Sequence, residues 1–250
     1  CPAPGKRKNR FMNNIDEQLE LLVTANRILA REGVVDAYGH VSIRHPERPD
    51  RYILSQSRAP DLVERDDLME YTLKGDPVDQ QGRPMYTERP IHGGIYQARD
   101  DVMAIVHNHS PTVIPFSVTA TPLRPMFHLA AIIGPELPVW DIRDKFQDTN
   151  MLVTNMDQGR DLAACLGDRR VSLMRGHGCV IAGKTIREVI MASIYLQVNA
   201  GLLMESMRLG DVKYLSPGEI KAMTDSQMSL TGQQRAWEYW ANRAGRGRDS

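Results

Sequence analysis

Two histidines that end an apolar stretch could bind a metal ion. In the segment AIVHNHS, at positions 104–110, His107 and His109 are separated by a single residue. Side chains of a β-strand alternate between its faces, so both imidazoles project to the same side, with Cα atoms about 6–7 Å apart. This spacing suits two ligands of one ion. An isolated pair is equally compatible with two polar residues where a strand emerges into water.

Two further stretches supply candidate ligands. TERPIHGG places Glu88 and His92 four residues apart, and on a helix they would share a face, although a helix-surface pair is the simpler interpretation. In MRGHGCVIAG, His177 stands between two glycines, which let the backbone approach an ion or substrate closely; an ordinary turn is the alternative. Together, three imidazoles and one carboxylate are typical of a divalent transition-metal site with room for a further ligand.

The elements that would carry these residues follow from hydrophobic periodicity and turn signals. The pattern predicts helices over 14–32, 90–98, 157–166 and 184–209, and strands over 40–44, 51–55, 102–107 and 170–183, the last as two strands joined at the glycines. Ser110 is a plausible N-cap of another helix. We expect one α/β domain over residues 13–245, built as a sandwich around a mostly antiparallel sheet, after a flexible segment over 1–12.

Composition excludes several classes of partner. The 250 residues include 31 basic and 31 acidic side chains, so no net charge draws the chain to nucleic acid or an anionic membrane. No segment approaches the roughly 18 apolar residues of a membrane span.

The long apolar helix at 184–209 predicts burial on more than one side, including against another subunit. The cysteines, Cys1, Cys165 and Cys179, are too sparse for a disulfide framework, which favours the cytoplasm.

Three motifs in order resemble a known family. Glu88 with His92, then VHNHS, then RGHG are similar to the class II aldolase/adducin family, typified by fuculose-phosphate and ribulose-phosphate enzymes, over about residues 15–210. The resemblance implies that His107, His109 and His177 are metal ligands and that Glu88 is the acidic residue that ligates the resting metal and moves a proton. It also implies a three-layer α/β/α sandwich and a homotetramer with active sites between subunits. Adducin-like members lack the metal chemistry, and the intact histidine set argues against that branch.

Departures from the sugar-phosphate aldolases indicate a different substrate. Those enzymes have a GNxS segment whose Asn helps to bind phosphate, and this chain has His40 at that position. The Thr-Gly pair that follows in the aldolases is missing. The remaining polar candidates for substrate binding, besides His40, are Ser55, Ser57, Arg58 and Thr87. An Arg fork with hydroxyls suits a planar carboxylate at least as well as a phosphate.

A further histidine is a candidate acid. His128, in RPMFHLAA, falls near the place of a Tyr that the aldolases take from the neighbouring subunit, and a histidine donates a proton at neutral pH more readily than a tyrosine. A structural core histidine is the alternative. The stretches GHVS.R, LS.S.AP and PM.H.AA resemble the family's subgroup that decarboxylates hydroxylated aromatic acids, such as dihydroxyphthalate or a hydroxy-pyridine-dicarboxylate.

The resemblance therefore predicts a carbon–carbon lyase, more specifically a metal-dependent decarboxylase of a hydroxylated aromatic or heteroaromatic acid. Its divalent ion would act as a Lewis acid on the developing carbanion; Mn and Zn are favoured, and Fe or Co is compatible. Glu88 or His128 would supply the proton that replaces carbon dioxide. Two alternatives remain: an aldolase or epimerase acting on a small phosphorylated sugar, and an adducin-like binding module without catalysis.

Overall fold

Seven strands form the central sheet of the computed structural model, which describes residues 15–227 and 230–245. The strands are β1 (His40–Arg44), β2 (Arg51–Ser55), β3 (Leu68–Thr72), β4 (Ala104–Asn108), β5 (Val139–Trp140), β6 (Val171–Met174) and β7 (Gly178–Gly183). Their order is β3-β2-β1-β4-β7-β6-β5, and neighbouring strands are antiparallel except for β5 and β6. The predicted mostly antiparallel sheet is therefore confirmed.

Helices cover both faces of this sheet. They are α1 (Ile15–Arg31), α2 (Arg89–Ala98), α3 (Ile114–Ser117), α4 (Arg143–Phe146), α5 (Met156–Leu166), α6 (Ile186–Leu209), α7 (Pro217–Gln227) and α8 (Leu230–Arg243). In β4, Val106 packs in an apolar cluster with residues of α1, α6 and α8, whereas Ile105 packs with residues of α2 and α5. Because successive strand residues face opposite sides, the sheet separates two cores. The three-layer α/β/α sandwich is thus confirmed.

The four predicted helices begin and end within two residues of α1, α2, α5 and α6. A helix does form after Ser110, but α3 begins only at Ile114. The N-cap role predicted for Ser110 is wrong, because its hydroxyl donates to Oε1 of Gln197. The strands β3 and β5 and the helix α8 were not predicted. The segment over 1–12 lies outside the described residues, and a single domain over 13–245 stays a prediction.

The side of β1 that faces α2 is polar. Val41 and Ile43 pack in the core with α1 and α6, so His40, Ser42 and Arg44 point the other way, toward α2. In the sheet, His40 of β1 lies directly beside His107 of β4. The register of two central strands therefore brings histidines from distant segments together at one end of the sheet.

Glycines allow α2 to lie directly against α5. A Cβ added at Gly94 of α2 would collide with the backbone of Gly159 in α5, and one added at Gly159 would collide with the carbonyl of Pro90. A Cβ at Gly93 would meet the carbonyl of Leu73 at 2.6 Å. This close packing fixes the position of α2, whose first residues follow Glu88 and whose body carries His92.

The helix α6 corrects one expectation from composition. By length and hydropathy, Ile186–Leu209 is apolar enough to cross a membrane, contrary to the prediction that no segment approaches a span. In the fold, 56% of its most apolar window is buried, and it contacts α1, α8, β4 and β7. We interpret α6 as a core helix, whose apolar character reflects packing against the sheet and the neighbouring helices.

Candidate metal centre and active site

Four predicted ligands meet at the end of the sheet that β4 and β7 form. Glu88, His107, His109 and His177, here called the His/Glu cluster, present donor atoms that all lie within 4.8 Å of one another. Nε2 of His109 is 3.0 Å from Nε2 of His107 and 3.1 Å from Nε2 of His177. One carboxylate oxygen of Glu88 is 3.5 Å and 3.4 Å from the Nε2 atoms of His107 and His177, respectively.

A backbone contact sets the tautomer of His107. This residue lies in β4, and its Nδ1–H donates to the carbonyl oxygen of Cys179 in β7 at 3.0 Å. Nδ1 therefore carries a proton, and Nε2 is the ring nitrogen that faces the other members of the cluster. A carbonyl partner on the far nitrogen is the usual support of a metal-binding imidazole.

The turn between β6 and β7 delivers His177 to the same place. Gly176 has φ of 63°, a left-handed conformation, and the backbone N–H of His177 donates to the carbonyl of Met174 at 3.0 Å. A Cβ at Gly178 would collide with the backbone carbonyl of Asn108. The two glycines thus let this turn lie against the end of β4, which brings His177 next to His109. The suggestion that they permit a close approach is supported.

Glu88 precedes α2 rather than lying in it. It is the N-cap residue of the helix, and its second carboxylate oxygen accepts from the backbone N–H of Val153 at 3.0 Å. Burial raises the pKa of this carboxyl, but His107 and His177, when they are protonated at Nε2, more than offset this effect by hydrogen bonding and by charge and hold its pKa well below its usual range. Glu88 therefore contributes an ionised carboxylate to the cluster.

The donor set fits a divalent cation. Burial, reinforced by the neighbouring imidazoles, lowers the pKa of His109 to about 4, so this ring is neutral at physiological pH. Three imidazole nitrogens directed at one another, beside a carboxylate, are stabilised by a positive charge between them. Three nitrogens and one oxygen are the donors that Zn, Mn, Fe and Co accept. Glu88 and His107 are buried, whereas His109 and His177 are half-buried, which leaves one side of the cluster accessible.

A shared helix face would place His92 beside Glu88. Instead, His92 pairs with His40. Nδ1 of His40 is 2.7 Å from Nε2 of His92, and Nδ1 of His92 is 2.6 Å from the Ser42 hydroxyl. That hydroxyl is 2.9 Å from the hydroxyl of Tyr96. We call these four side chains the polar chain. Ser42 and Tyr96 were missed, although the alternation of polar residues at positions 40, 42 and 44 of a strand was a visible signal.

The predicted substrate-binding residues have mixed surroundings. His40 is buried, with its ring centroid 5.1 Å from that of His107. Ser55 is buried too, and its hydroxyl donates to Tyr86 Oη at 3.4 Å. Arg58 is exposed, and its Nη1 pairs with both carboxylate oxygens of Asp67 at 3.0 and 2.9 Å, so part of its donor capacity is used within the chain. Ser57 and Thr87 are exposed.

Tyr86 is a neighbour of the site that the sequence did not indicate. Its ring centroid is 4.7 Å from that of His40, and its hydroxyl donates to the carbonyl oxygen of Arg58. Burial raises the pKa of this phenol. The aromatic ring therefore forms part of the wall beside His40, and the hydroxyl ties the segment that carries Arg58 to that wall.

His128 lies apart from the cluster within one chain. It begins a 3-10 helix, His128–Ile133, which contacts α6 and α7, and its side chain is exposed. A structural core position is therefore wrong for His128. The alternative, a residue that reaches the active site of a neighbouring subunit, stays a prediction.

Comparison with known proteins identifies relatives over most of the chain. A family model described as the class II aldolase and adducin N-terminal domain matches residues 20–204. Decarboxylase tropJ of Talaromyces stipitatus is 34% identical over 87% of this chain and 90% of its own length. A 3,4-dihydroxyphthalate decarboxylase of Arthrobacter keyseri is 27% identical over 84% of each chain. Human beta-adducin is 28% identical over 66% of this chain and 23% of its own.

Solved structures show the same fold. An aldolase II superfamily protein from Pseudomonas syringae superposes with a TM-score of 0.78 over 98% of both chains, at 20% identity. An L-fuculose 1-phosphate aldolase from Glaciozyma antarctica gives a TM-score of 0.74 over 95% of this chain and 93% of its own, at 21% identity. The two decarboxylases above are carboxy-lyases, so the resemblance to the decarboxylase subgroup and the expected enzyme class are both confirmed.

Proposed function

The chain belongs to the class II aldolase and adducin family, and on this premise we propose that it is a metal-dependent decarboxylase of a hydroxylated aromatic or heteroaromatic carboxylic acid. The His/Glu cluster carries the proposal, because its four donor atoms lie within 4.8 Å of one another and could together bind one divalent ion. The similarity to decarboxylase tropJ and to 3,4-dihydroxyphthalate decarboxylases supports the reaction type and the substrate class.

His107, His109, His177 and Glu88 would hold the ion, with Mn or Zn favoured and Fe or Co compatible. When bound, the ion supplies Lewis-acid stabilisation of the negative charge that develops on the substrate as carbon dioxide leaves. The Cys179 carbonyl and the Val153 amide hold His107 and Glu88 in the orientation that presents their donor atoms. These contacts hold two of the four donors in place before a metal ion binds.

The buried residues beside the cluster would orient the substrate. His40, which lies next to His107, would donate to a substrate carboxylate, and Ser55, Ser57, Arg58 and Thr87 would bind further oxygens. The phenolic wall of Tyr86 suits a flat ring next to His40. A proton must replace carbon dioxide on the ring carbon. His128 would donate it, or Glu88 would do so after it has accepted a proton from the substrate or from solvent.

Three broader properties complete the proposal. We expect a homotetramer in which His128 of one subunit reaches the active site of the next, and a single domain over residues 13–245. We also place the enzyme in the cytoplasm, where the free thiols of Cys165 and Cys179 would be stable. Its partner would be a small carboxylic acid, with no nucleic acid or membrane involved.

Carbon dioxide release from a panel of hydroxylated aromatic acids, including 3,4-dihydroxyphthalate, tests the function. We expect one or more of these acids to be decarboxylated, activity to disappear after metal removal by a chelator, and elemental analysis of the purified protein to show about one divalent ion per chain. Cleavage of L-fuculose 1-phosphate without carbon dioxide release would instead identify an aldolase. A protein with neither metal nor turnover would be an adducin-like module.

A further inference from the structure

The polar chain runs from the active site into the core, and the proposed mechanism uses only His40, the member nearest the active site. Its order is His40, His92, Ser42 and Tyr96, joined by three contacts of 2.7, 2.6 and 2.9 Å. The last three side chains have no exposed surface, so water does not compete for their hydrogen bonds. His40, at 4% exposure, forms the end that adjoins His107 and Tyr86.

The donors of this chain can be counted. Each neutral imidazole carries one N–H and each hydroxyl carries one O–H, so four protons are available for three hydrogen bonds. If Tyr96 donates to Ser42, Ser42 donates to Nδ1 of His92, and Nε2–H of His92 donates to Nδ1 of His40, all three contacts are satisfied. The fourth proton is then on Nε2 of His40, at the end of the chain that adjoins the active site.

If the hydrogen bonds run in the opposite direction, one buried hydroxyl proton has no acceptor. If Nδ1–H of His40 donated to His92 and His92 donated to Ser42, either the Ser42 or the Tyr96 hydroxyl would have no acceptor within the polar chain. Burial raises the pKa of Tyr96 well above its usual range, so its hydroxyl keeps its proton. A buried donor without a partner costs the full desolvation of that group, and this cost selects the first direction.

We infer that Tyr96, Ser42 and His92 are positioning residues that hold His40 in the tautomer with its proton on Nε2, which makes His40 a hydrogen-bond donor to a carboxylate group of the substrate. The hydrogen bond from His40 to a substrate carboxylate rests on the proposed function, whereas the tautomer of His40 is a property of the protein without substrate. Both helix residues are placed for this role, because His92 and Tyr96 are one helical turn apart on α2 and both contact Ser42 of β1.

Magic-angle-spinning ¹⁵N spectra of zinc-loaded protein labelled in histidine test the tautomer directly. The signals of His40 are identified by their loss in His40→Gln. We expect a protonated Nε2 and an unprotonated Nδ1 for His40, and the same pattern for His92. A proton on Nδ1 of His40 would overturn the inference, and the tautomer itself is measured on the unaltered protein.

Variants at Ser42 test whether the polar chain sets the tautomer. Ser42→Ala removes the donor to His92, so we expect a mixture of His40 tautomers and a KM for the aromatic acid that is higher by roughly tenfold. Ser42→Thr keeps the hydroxyl in a strand and should restore both values. Tyr52→Phe is the matched control, since the Tyr52 ring stacks on His92 with centroids 6.1 Å apart while its hydroxyl donates elsewhere, to the Arg89 carbonyl.

The outcomes separate the inference from the proposed function. An unchanged His40 tautomer in Ser42→Ala, or an equal change in Tyr52→Phe, would show that the polar chain does not control the ring. A further outcome is that the Ser42 variants change the His40 tautomer as expected while no aromatic acid loses carbon dioxide. In that case the inference about the tautomer is established and the proposed decarboxylase function is wrong.

Discussion

His109 connects the ligands of the His/Glu cluster. Its Nε2 is the atom nearest to both of the other imidazoles, at 3.0 and 3.1 Å, while no backbone group in the described contacts fixes its ring. His107 and Glu88, by contrast, are held by the Cys179 carbonyl and the Val153 amide. Removal of the His109 ring should therefore abolish metal binding and leave the supports of the other ligands in place.

We predict that His109→Ala folds but no longer binds the metal. A ligand present at 100 times its dissociation constant stabilises the folded state by about 2.7 kcal/mol, so added Zn or Mn should raise the Tm of the wild-type protein and not that of the variant. Calorimetry and elemental analysis measure the two effects. His128→Gln is the control, and we expect it to bind metal normally while losing activity. Full turnover by metal-free His109→Ala would contradict the Lewis-acid role.

His92 predicts a dependence of stability on pH. Burial lowers its pKa to about 3, whereas a histidine in an unfolded chain has a pKa of about 6.5. Between these values the unfolded chain binds more protons, so the free energy of unfolding rises with pH. The contribution of His92 is fully present above about pH 6.5 and is lost toward about pH 3, at about 1.4 kcal/mol per pH unit within that window.

Replacement of His92 should therefore flatten the pH profile. We expect His92→Gln to show a smaller loss of unfolding free energy between about pH 6.5 and pH 4.5 than the wild-type protein. Urea unfolding of chelator-treated protein at several pH values provides the measurement. His128→Gln, at an exposed position, should keep the wild-type slope. An equal slope in His92→Gln and wild type would mean that His92 does not titrate as a buried neutral group.

At the scale of elements, the contact between α2 and α5 determines where Glu88 and His92 lie. Gly94 and Gly159 bring the two helix backbones together, and the Val153 amide that binds Glu88 lies just before α5. A side chain at the glycine contact would push the helices apart. The site geometry therefore depends on a packing feature well away from its ligands.

Two glycine variants test this dependence. Gly94→Ala should lower the free energy of unfolding by about 1–3 kcal/mol, because its Cβ meets backbone that cannot rotate away. Gly201→Ala, in the middle of α6, should instead raise it by about 0.5–1 kcal/mol, since the nearest atom, Cγ2 of Thr112, is 3.9 Å away and alanine favours the helix. Urea unfolding compares them. A Gly94→Ala protein as stable as Gly201→Ala would show that α2 and α5 can separate freely.

At the scale of the whole molecule, an accessible cluster and an exposed His128 are consistent with active sites between subunits. The outer part of α6 exposes Val198, Leu202, Met207 and Leu209, which are large apolar side chains on a helix that is otherwise well packed. Such side chains are common at interfaces between subunits. We therefore expect part of this surface to be covered in the proposed tetramer.

Mixed oligomers test the shared active site. If His109 of one subunit works with His128 of its neighbour, oligomers formed by co-expressing His109→Ala and His128→Gln should recover about a quarter of the wild-type activity, because each site needs an intact copy from both sides. Each variant alone should be nearly inactive. Ultracentrifugation confirms that mixed oligomers form. Mixed oligomers without recovered activity would place both roles within one chain or exclude His128.

The sequence alone predicted the four residues that meet in the His/Glu cluster and most of the elements. Strand alternation places His107 and His109 on one face, and helical periodicity locates α1, α2, α5 and α6, because both patterns arise from neighbours along the chain. The strand β3 was missed although Met69 and Tyr71 are buried and Glu70 between them pairs with Arg48 and Arg51, an alternation that is visible in the sequence.

The tertiary structure alone decided how distant residues meet. His177, separated from His109 by 68 positions, reaches it through a glycine turn lying against β4, and His92 pairs with His40 rather than Glu88 because α2 packs across β1. Tertiary packing also places Asp67 beside Arg58, where its carboxylate accepts hydrogen bonds from the guanidinium group. These contacts depend on strand register and on the packing of helices against the sheet, which join segments far apart in the chain and leave no periodic signal in either one.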